Sequence, residues 1–285
     1  MALRYSCDDH VIESCLQLLK RTGRISGEAY FNHAASDDLR REVAYRDGDF
    51  LEYLGYTKEE EIIDSILHML KQNGILTATD QYNKTAFLEL RQEVKAKFDN
   101  QLILQPTMSY GTITPVMERL FYMLSSVRKP KRIIALGIFW GNALIWNVGS
   151  SCGKGKLYDT EKVYGIDIDS HAVGQARKNF DKLTGIEHIE WIAKDGLQAV
   201  EELNDTFDYV FLDVGIRNDK RLNLILLKKL YQKLQKGCWV LAHDTTMQFF
   251  KEHFKNYLDF VRDKRYFSES ISFDVDQYGL ELSIK

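Results

Sequence analysis

The fold of this chain is decided by the stretch RIIALGIFWGN, residues 132–142. Its first half is a short apolar run rich in isoleucine, which is typical of a fully buried strand. Gly137 and Gly141 follow, and glycine tolerates the tight turns by which a backbone approaches a ligand. A strand that leads through a glycine turn into a helix predicts an α/β sheet with a ligand at its carboxyl edge. The spacing differs from the G-x-G-x-x-G pattern of dinucleotide sites.

The sequence after this stretch alternates between strand and helix patterns. Strands are predicted at 132–136, 162–166, 186–192, 209–212 and 238–242, with helices at 143–148, 171–183, 196–203, 222–234 and 246–262. Residues 268–275 and 279–284 predict a C-terminal β-hairpin. The whole predicts an α/β fold, a doubly wound, Rossmann-like and mostly parallel sheet that ends in a β-hairpin.

The first part of the chain has a different character. All three prolines lie between residues 106 and 130, and the sequence before them is mostly helical in pattern. We therefore expect a helical N-terminal cap or dimerisation domain at 1–105 and a sheet domain at 106–285. A capping box at 57–60 opens a helix that ends near Gly74. Residues 74–77 and 85–88 fit two strands of a winged-helix-like hairpin, whereas 87–98 fit a helix equally well.

Composition narrows the classes of partner. The 285 residues include 38 basic and 41 acidic side chains, so the net charge of −3 argues against nucleic acid as a partner. The longest apolar run, 133–148, is too short to span a membrane and is interrupted by glycine and asparagine. The four cysteines share no C-x-x-C spacing. We expect a cytoplasmic protein with reduced thiols and no membrane partner.

Acidic residues follow the predicted strands at the ligand edge. Asp167 ends the second strand beside the glycine loop, where a carboxylate can accept both ribose hydroxyls of a nucleoside. Asp195 follows the third strand and is expected to meet the adenine amino group. In the alternative interpretation, each of these acids only caps a helix or lies at the surface.

Two further acids, Asp213 and Asp244, follow the fourth and fifth strands. Neighbouring strands lie about 4.8 Å apart, so both carboxylates can share one cation such as Mg²⁺. Alternatively, Asp213 contacts the cofactor and Asp244 caps the last helix without a metal. His243 precedes Asp244, so its side chain is expected to face away from the acids unless the chain bends there.

These motifs, in this order, resemble the catechol and caffeoyl-CoA O-methyltransferases, a group within the class I S-adenosylmethionine-dependent methyltransferases. The resemblance covers residues 106–285 and includes the glycine loop, Asp167, FDYVFLD (207–213) and LQKGCWVLAHD (234–244). It implies methyl transfer from S-adenosylmethionine, with a divalent ion such as Mg²⁺ held by the acids that end strands four and five. The implied cofactor contacts are Gly137, Ile138, Phe139, Gly141, Asn142, Asp167, Ile168, Asp195, Gly196 and Asp213; the implied catalytic residues are Asp213, Asp244 and Arg217; and the implied metal ligands are Asp213 and Asp244.

Three positions depart from the pattern of this group. The acid that usually precedes Leu-Gly and binds the methionine amino group is replaced by Ala135. The third metal ligand, usually asparagine, is Thr245. The usual lysine three residues after the strand-four acid is Ile216, with Arg217 and Lys220 nearby. These departures concern methionine binding, the metal site and the general base.

Three functions remain as hypotheses. The first is O-methylation of a small molecule, aligned with the cofactor at the sheet edge. The second is methylation of a carboxylate or amine of a peptide or protein held by the N-terminal domain. The third is a methyltransferase-like protein that binds without catalysis. A homodimer through the N-terminal helices is a further expectation.

Overall fold

The structure is a computed structural model that describes residues 3–6, 59–98, 113–215, 219–276 and 278–285. The helices in this part are α1 (Glu59–Gln72), α2 (Lys84–Lys97), α3 (Pro115–Arg128), α4 (Asn142–Val148), α5 (Ser170–Phe180), α6 (Gly196–Glu202), α7 (Leu222–Leu230) and α8 (Lys251–Val261). The strands are β1 (Leu3–Ser6), β2 (Arg132–Leu136), β3 (Lys162–Asp167), β4 (Ile189–Ala193), β5 (Phe207–Leu212), β6 (Leu234–His243), β7 (Glu269–Asp274) and β8 (Leu280–Ile284). None of these helices is both long enough and apolar enough to cross a bilayer.

All eight strands form one sheet in the order β1-β7-β8-β6-β5-β2-β3-β4. Strand β8 runs antiparallel to β6 and β7, and every other pairing is parallel. This confirms the predicted doubly wound sheet and its C-terminal hairpin. Strand β1, which pairs with β7 at the sheet edge, was not predicted.

The sheet is buried on both faces. One face packs with α3, α4 and α5, and the buried apolar residues of α1 and α2 belong to the same cluster. The other face packs with α6, α7 and α8. The carboxyl ends of β2, β3, β5 and β6 therefore remain as the open edge between the two layers.

The N-terminal hairpin expected at 74–77 and 85–88 is wrong, because residues 85–88 lie inside α2. Asn83 caps this helix by accepting a hydrogen bond from the Ala86 amide at 3.0 Å. Phe87, Leu90 and Val94 then form one buried helical face. The helical alternative therefore describes this segment. The expected boundary between domains at residues 105 and 106 stays a prediction. So does the homodimer through the N-terminal helices. The helical patterns before residue 59 lie outside the described residues.

Candidate active site

The turn after β2 depends on two glycines. Gly137 has a φ of +82°, and a Cβ there would lie 2.5 Å from the carbonyl oxygen of Asp213. Gly141 has a φ of +88°, and a Cβ there would lie 2.9 Å from the Phe180 ring. Between them Phe139 has a φ of +47°, which is uncommon for a residue with a side chain. Only glycine at both positions lets the loop lie this close to β5 and α5.

Asp167 fixes the tip of this loop from the end of β3. Its Oδ2 accepts a hydrogen bond from the Phe139 amide at 2.8 Å, and its Oδ1 accepts one from the Asp169 amide at 3.1 Å. Each carboxylate oxygen has a second lone pair, so the group can still accept hydrogen bonds from a ligand. Asp169 caps α5 by accepting hydrogen bonds from the His171 and Ala172 amides.

A cavity of about 650 Å³ lies along this open edge of the sheet. Such a volume is typical of small-molecule sites. The predicted site residues that line it are Gly137, Ile138, Phe139, Asn142, Asp167, Ile168, Asp195, Gly196, Asp213 and Asp244. Gly141 shapes the turn behind the cavity without lining it, and Arg217 lies outside the described residues. Asp195 lines the cavity and also caps α6, since its Oδ1 accepts hydrogen bonds from two α6 amides.

The acids after β5 and β6 meet as the sequence predicted, but a lysine lies between them. The Lys220 Nζ is 2.6 Å from Oδ1 of Asp213 and 2.7 Å from Oδ2 of Asp244. Lys220 itself is only 8% exposed. Burial opposes a charge on Lys220, but the two carboxylates outweigh this effect and raise its pKa. Burial also opposes the charge of Asp213, yet Lys220 and His243 lower the pKa of Asp213 to about 2.

His243 faces these acids, which corrects the expectation that it would point away. Asp244 has a φ of +66°, so the chain bends at the end of β6 and strand alternation no longer holds there. The His243 Nδ1 lies 3.3 Å from Oδ1 of Asp244 and 3.4 Å from Oδ2 of Asp213. Burial opposes a charge on His243, but Asp244 and Asp213 raise its pKa to about 9. The imidazole is therefore a cation at neutral pH.

The donor set at this site does not suit a divalent cation while Lys220 is in place. Asp213, His243 and Asp244 each offer a ligand atom, and these atoms lie within 4.8 Å of one another. An ion bound to both carboxylates would share the space of the Lys220 ammonium, and the two like charges would repel each other. Thr245 is buried, and its hydroxyl has no hydrogen-bond partner among the described residues. The expected Mg²⁺ site is thus occupied by a side-chain cation.

Sequence reasoning missed the role of Lys220 and the apolar end of the cavity. The sequence analysis noted Lys220 only as a nearby basic residue. Its role could have been inferred from its spacing from Asp213 and from the small Gly215 between them. Met247, Phe249 and Phe250 line the cavity, and Phe249 is 63% exposed. Met247, Phe249 and Phe250 lie three, five and six residues after Asp244 in the sequence.

Comparison with known proteins identifies the kind of domain. Residues 134–245 match the family model described as "Methyltransferase domain". The chain is 28% identical over 139 residues to ribosomal RNA large subunit methyltransferase K/L of Photobacterium profundum; the match covers 45% of this chain and 18% of that protein's length. This chain therefore matches less than a fifth of that longer protein.

Solved structures share the fold at low sequence identity. The SAH-bound methyltransferase PaMTH1 of Podospora anserina has a TM-score of 0.53 and 14% identity, with 80% of this chain and 96% of that chain covered. The O-methyltransferase of Bacillus cereus in complex with SAH has a TM-score of 0.50 and 14% identity, with 78% and 99% covered. Both likenesses confirm the fold predicted from the sequence.

Proposed function

We propose that this chain, of which residues 134–245 match a methyltransferase domain, is a class I S-adenosylmethionine-dependent methyltransferase and that it methylates an oxygen of a small molecule. The proposal rests on one observation: the glycine turn, Asp167 and the pair Asp213 and Asp244 all line the same cavity. S-adenosylmethionine supplies a methyl group on a sulfonium centre, which is already a good electrophile. The residues of the chain then have to align the acceptor and exclude water.

The cofactor end of the cavity is assigned to the first half of the sheet. Asp167 accepts hydrogen bonds from the ribose hydroxyls, and the free oxygen of Asp195 meets the adenine amino group. Ile138, Phe139 and Ile168 provide apolar contacts, while Gly137 and Gly196 let the backbone lie close to the ligand. Ala135 is fully buried and cannot take the role of the acid that it replaces. We therefore expect the methionine end to be bound less strongly than the nucleoside end.

The acceptor end is assigned to the region around Asp213 and Asp244. The carboxylates can accept a hydrogen bond from a hydroxyl group of the acceptor and so orient its oxygen toward the methyl group. Met247, Phe249 and Phe250 line the same cavity and provide an apolar surface. This combination favours an acceptor with an apolar or aromatic body and a single reactive oxygen. A catalytic role of Arg217 stays a prediction from the sequence.

A second candidate function is methyl transfer to a carboxylate, including that of a peptide. A carboxylate is ionised at neutral pH and needs no metal or base to become nucleophilic. The cations of Lys220 and His243 balance the charges of Asp213 and Asp244, so the acceptor end does not repel an anionic acceptor, which favours this candidate. Methyl ester formation, detected by its hydrolysis in mild alkali, would distinguish it from an ether product.

Binding of the cofactor is tested by titration calorimetry with S-adenosylmethionine and S-adenosylhomocysteine. The test variant is Asp167→Asn, which keeps one oxygen for the Phe139 amide but removes the charge offered to the ribose. The control is Asp181→Asn, an exposed acid just after α5. We expect at least a tenfold loss of affinity for Asp167→Asn and no change for the control.

Two results would contradict the proposed function. One is the absence of binding for both ligands at millimolar concentration. The other is an affinity of Asp167→Asn equal to that of the unmodified protein. Binding without turnover of hydroxyl or carboxylate acceptors would instead support the non-catalytic hypothesis. Mass spectrometry of the purified protein for retained S-adenosylhomocysteine gives an independent check.

A further inference from the structure

Lys220 occupies the position at which a divalent ion would join the two acids of the sheet edge. Its Nζ contacts Asp213 at 2.6 Å and Asp244 at 2.7 Å, so a single ammonium joins the ends of β5 and β6. Both carboxylates are largely shielded from water, with side-chain exposures of 20% and 12%. Shielded charges interact more strongly than exposed ones because water screens them less. The contact is therefore a built feature of the site.

Gly215 and Asn223 help to hold the lysine in this position. Gly215 leaves room for its stem, because a Cβ at residue 215 would lie 3.2 Å from the Lys220 Cε. The buried Asn223 amide donates hydrogen bonds to the carbonyls of Val214 and Lys220, at 2.9 and 3.0 Å. Its oxygen accepts one from the Val214 amide at 3.1 Å. Asn223 thus ties together the residues on both sides of the loop after β5.

The opposite side of the acid pair is occupied as well. The His243 Nδ1 lies 3.3 Å from Asp244 and 3.4 Å from Asp213. Lys220 thus contacts one oxygen of each carboxylate, and the His243 Nδ1 lies near the other oxygen of each. A divalent ion would have to displace the ammonium from both acids, and Lys220 has no other carboxylate partner among the described residues.

We propose that Lys220 is the resident cation of this site, so that the protein binds its ligands and transfers methyl groups without a divalent metal. The expected methyl transfer in the presence of a chelator rests on the proposed function. Occupation of the acid pair by Lys220 does not, because it can be tested with a metal ion alone. Removal of the ammonium should free the one oxygen of each carboxylate that Lys220 contacts, and carboxylate oxygens are the ligands that Mg²⁺ and Mn²⁺ prefer.

The test measures Mn²⁺ binding by electron paramagnetic resonance, in the absence of S-adenosylmethionine and of any acceptor. We expect the unmodified protein to bind Mn²⁺ only weakly, through surface carboxylates, and Lys220→Met to bind it at least tenfold more tightly. Adding Asp244→Asn to Lys220→Met should abolish the gained binding. Lys220→Arg keeps a cation at the site and should bind Mn²⁺ no more tightly than the unmodified protein, which guards against a general effect of misfolding.

Lys84 offers a matched control. Its Nζ also bridges two carboxylates, those of Glu60 and Asp64, both at 2.7 Å, but these side chains are exposed. Lys84→Met removes the same kind of side chain where water competes for the acids, so we expect a gain of less than threefold in Mn²⁺ affinity. An equal gain in both variants would mean that the buried site has no special affinity, and would overturn the proposal.

Two further results would overturn it. One is Mn²⁺ binding to the unmodified protein that Asp213→Asn abolishes. The other is a folded Lys220→Met protein, checked by circular dichroism, that gains no Mn²⁺ affinity. If Lys220→Met does not fold, the unmodified protein still tests the proposal. Its melting temperature should be the same in excess Mg²⁺ and in EDTA, and a higher value in Mg²⁺ would overturn the proposal. Failure of cofactor binding in calorimetry would refute the proposed function and leave these Mn²⁺ results unchanged.

Discussion

Replacement of His243 by asparagine is expected to remove a pH-dependent part of the protein's stability. Burial opposes a charge on the imidazole, but Asp244 and Asp213 raise its pKa from 6.5 to about 9. A group with a higher pKa in the folded than in the unfolded state stabilises the fold when it is protonated. The contribution of His243 is therefore complete below pH 6.5 and is lost as the pH rises through about 9.

The size of this contribution follows from the pKa values. A difference of one pKa unit corresponds to about 1.4 kcal/mol, so the rise from 6.5 to about 9 is worth about 3 kcal/mol. We expect the free energy of unfolding of the unmodified protein to exceed that of His243→Asn most at about pH 6. This difference should shrink by about 3 kcal/mol on going to about pH 10.

Urea unfolding followed by circular dichroism at a series of pH values measures this difference. His68→Gln serves as the control, because His68 is exposed on α1 and should give the same pH dependence as the unmodified protein. A difference between the unmodified protein and His243→Asn that stays constant within about 1 kcal/mol, or that grows with pH, would refute the electrostatic reasoning.

Three further substitutions test the fold and the turn by urea unfolding. Gly137→Ala should cost at least about 2 kcal/mol and weaken cofactor binding, because the new Cβ would lie 2.5 Å from the Asp213 carbonyl at a positive φ. Arg91→Met should cost about 3 kcal/mol, because it removes a bidentate pair with buried Glu59 and the contact with half-buried Glu118. Phe87→Ala should cost about 3–5 kcal/mol, since its fully buried ring packs on Tyr122 and Trp146.

Each of these substitutions has a matched control. Gly74→Ala introduces a side chain at a φ of +70° with nothing within 4 Å, so it carries only the backbone strain. Lys84→Met breaks an exposed ion pair, and Leu88→Ala truncates a side chain that is 45% exposed. A control that costs as much as its partner would show that the specific contact is not the source of the loss.

The alternation of strands and helices was readable from the sequence because each element carries its own local periodicity. Apolar runs such as 132–136 and 209–212 are buried on both faces of the sheet, so they stand out in composition alone. The carboxyl edge collects the residues that follow these strands. The positions of Asp167, Asp213 and Asp244 along the cavity were therefore predictable.

The segment at 74–98 shows where local pattern was insufficient. Its apolar residues fit a hairpin and a helix equally well, and the choice depends on what they pack against. Phe87, Leu90 and Val94 are buried in one cluster with the sheet domain, and this burial favours the helix. The pairing of β1 with β7 likewise depends on a partner far away in the chain.

The sequence by itself therefore determined the sheet, its glycine turn and the acids along its open edge. Only the tertiary structure decided what neutralises those acids. The side chain of Lys220 reaches Asp213 and Asp244 because Asn223 holds the backbone of Lys220 close to that of Val214. His243 turns toward the same acids because the backbone bends at Asp244. Such charge pairs depend on distances of a few ångströms between separate segments of the chain, and the local periodicity of the sequence does not predict these distances.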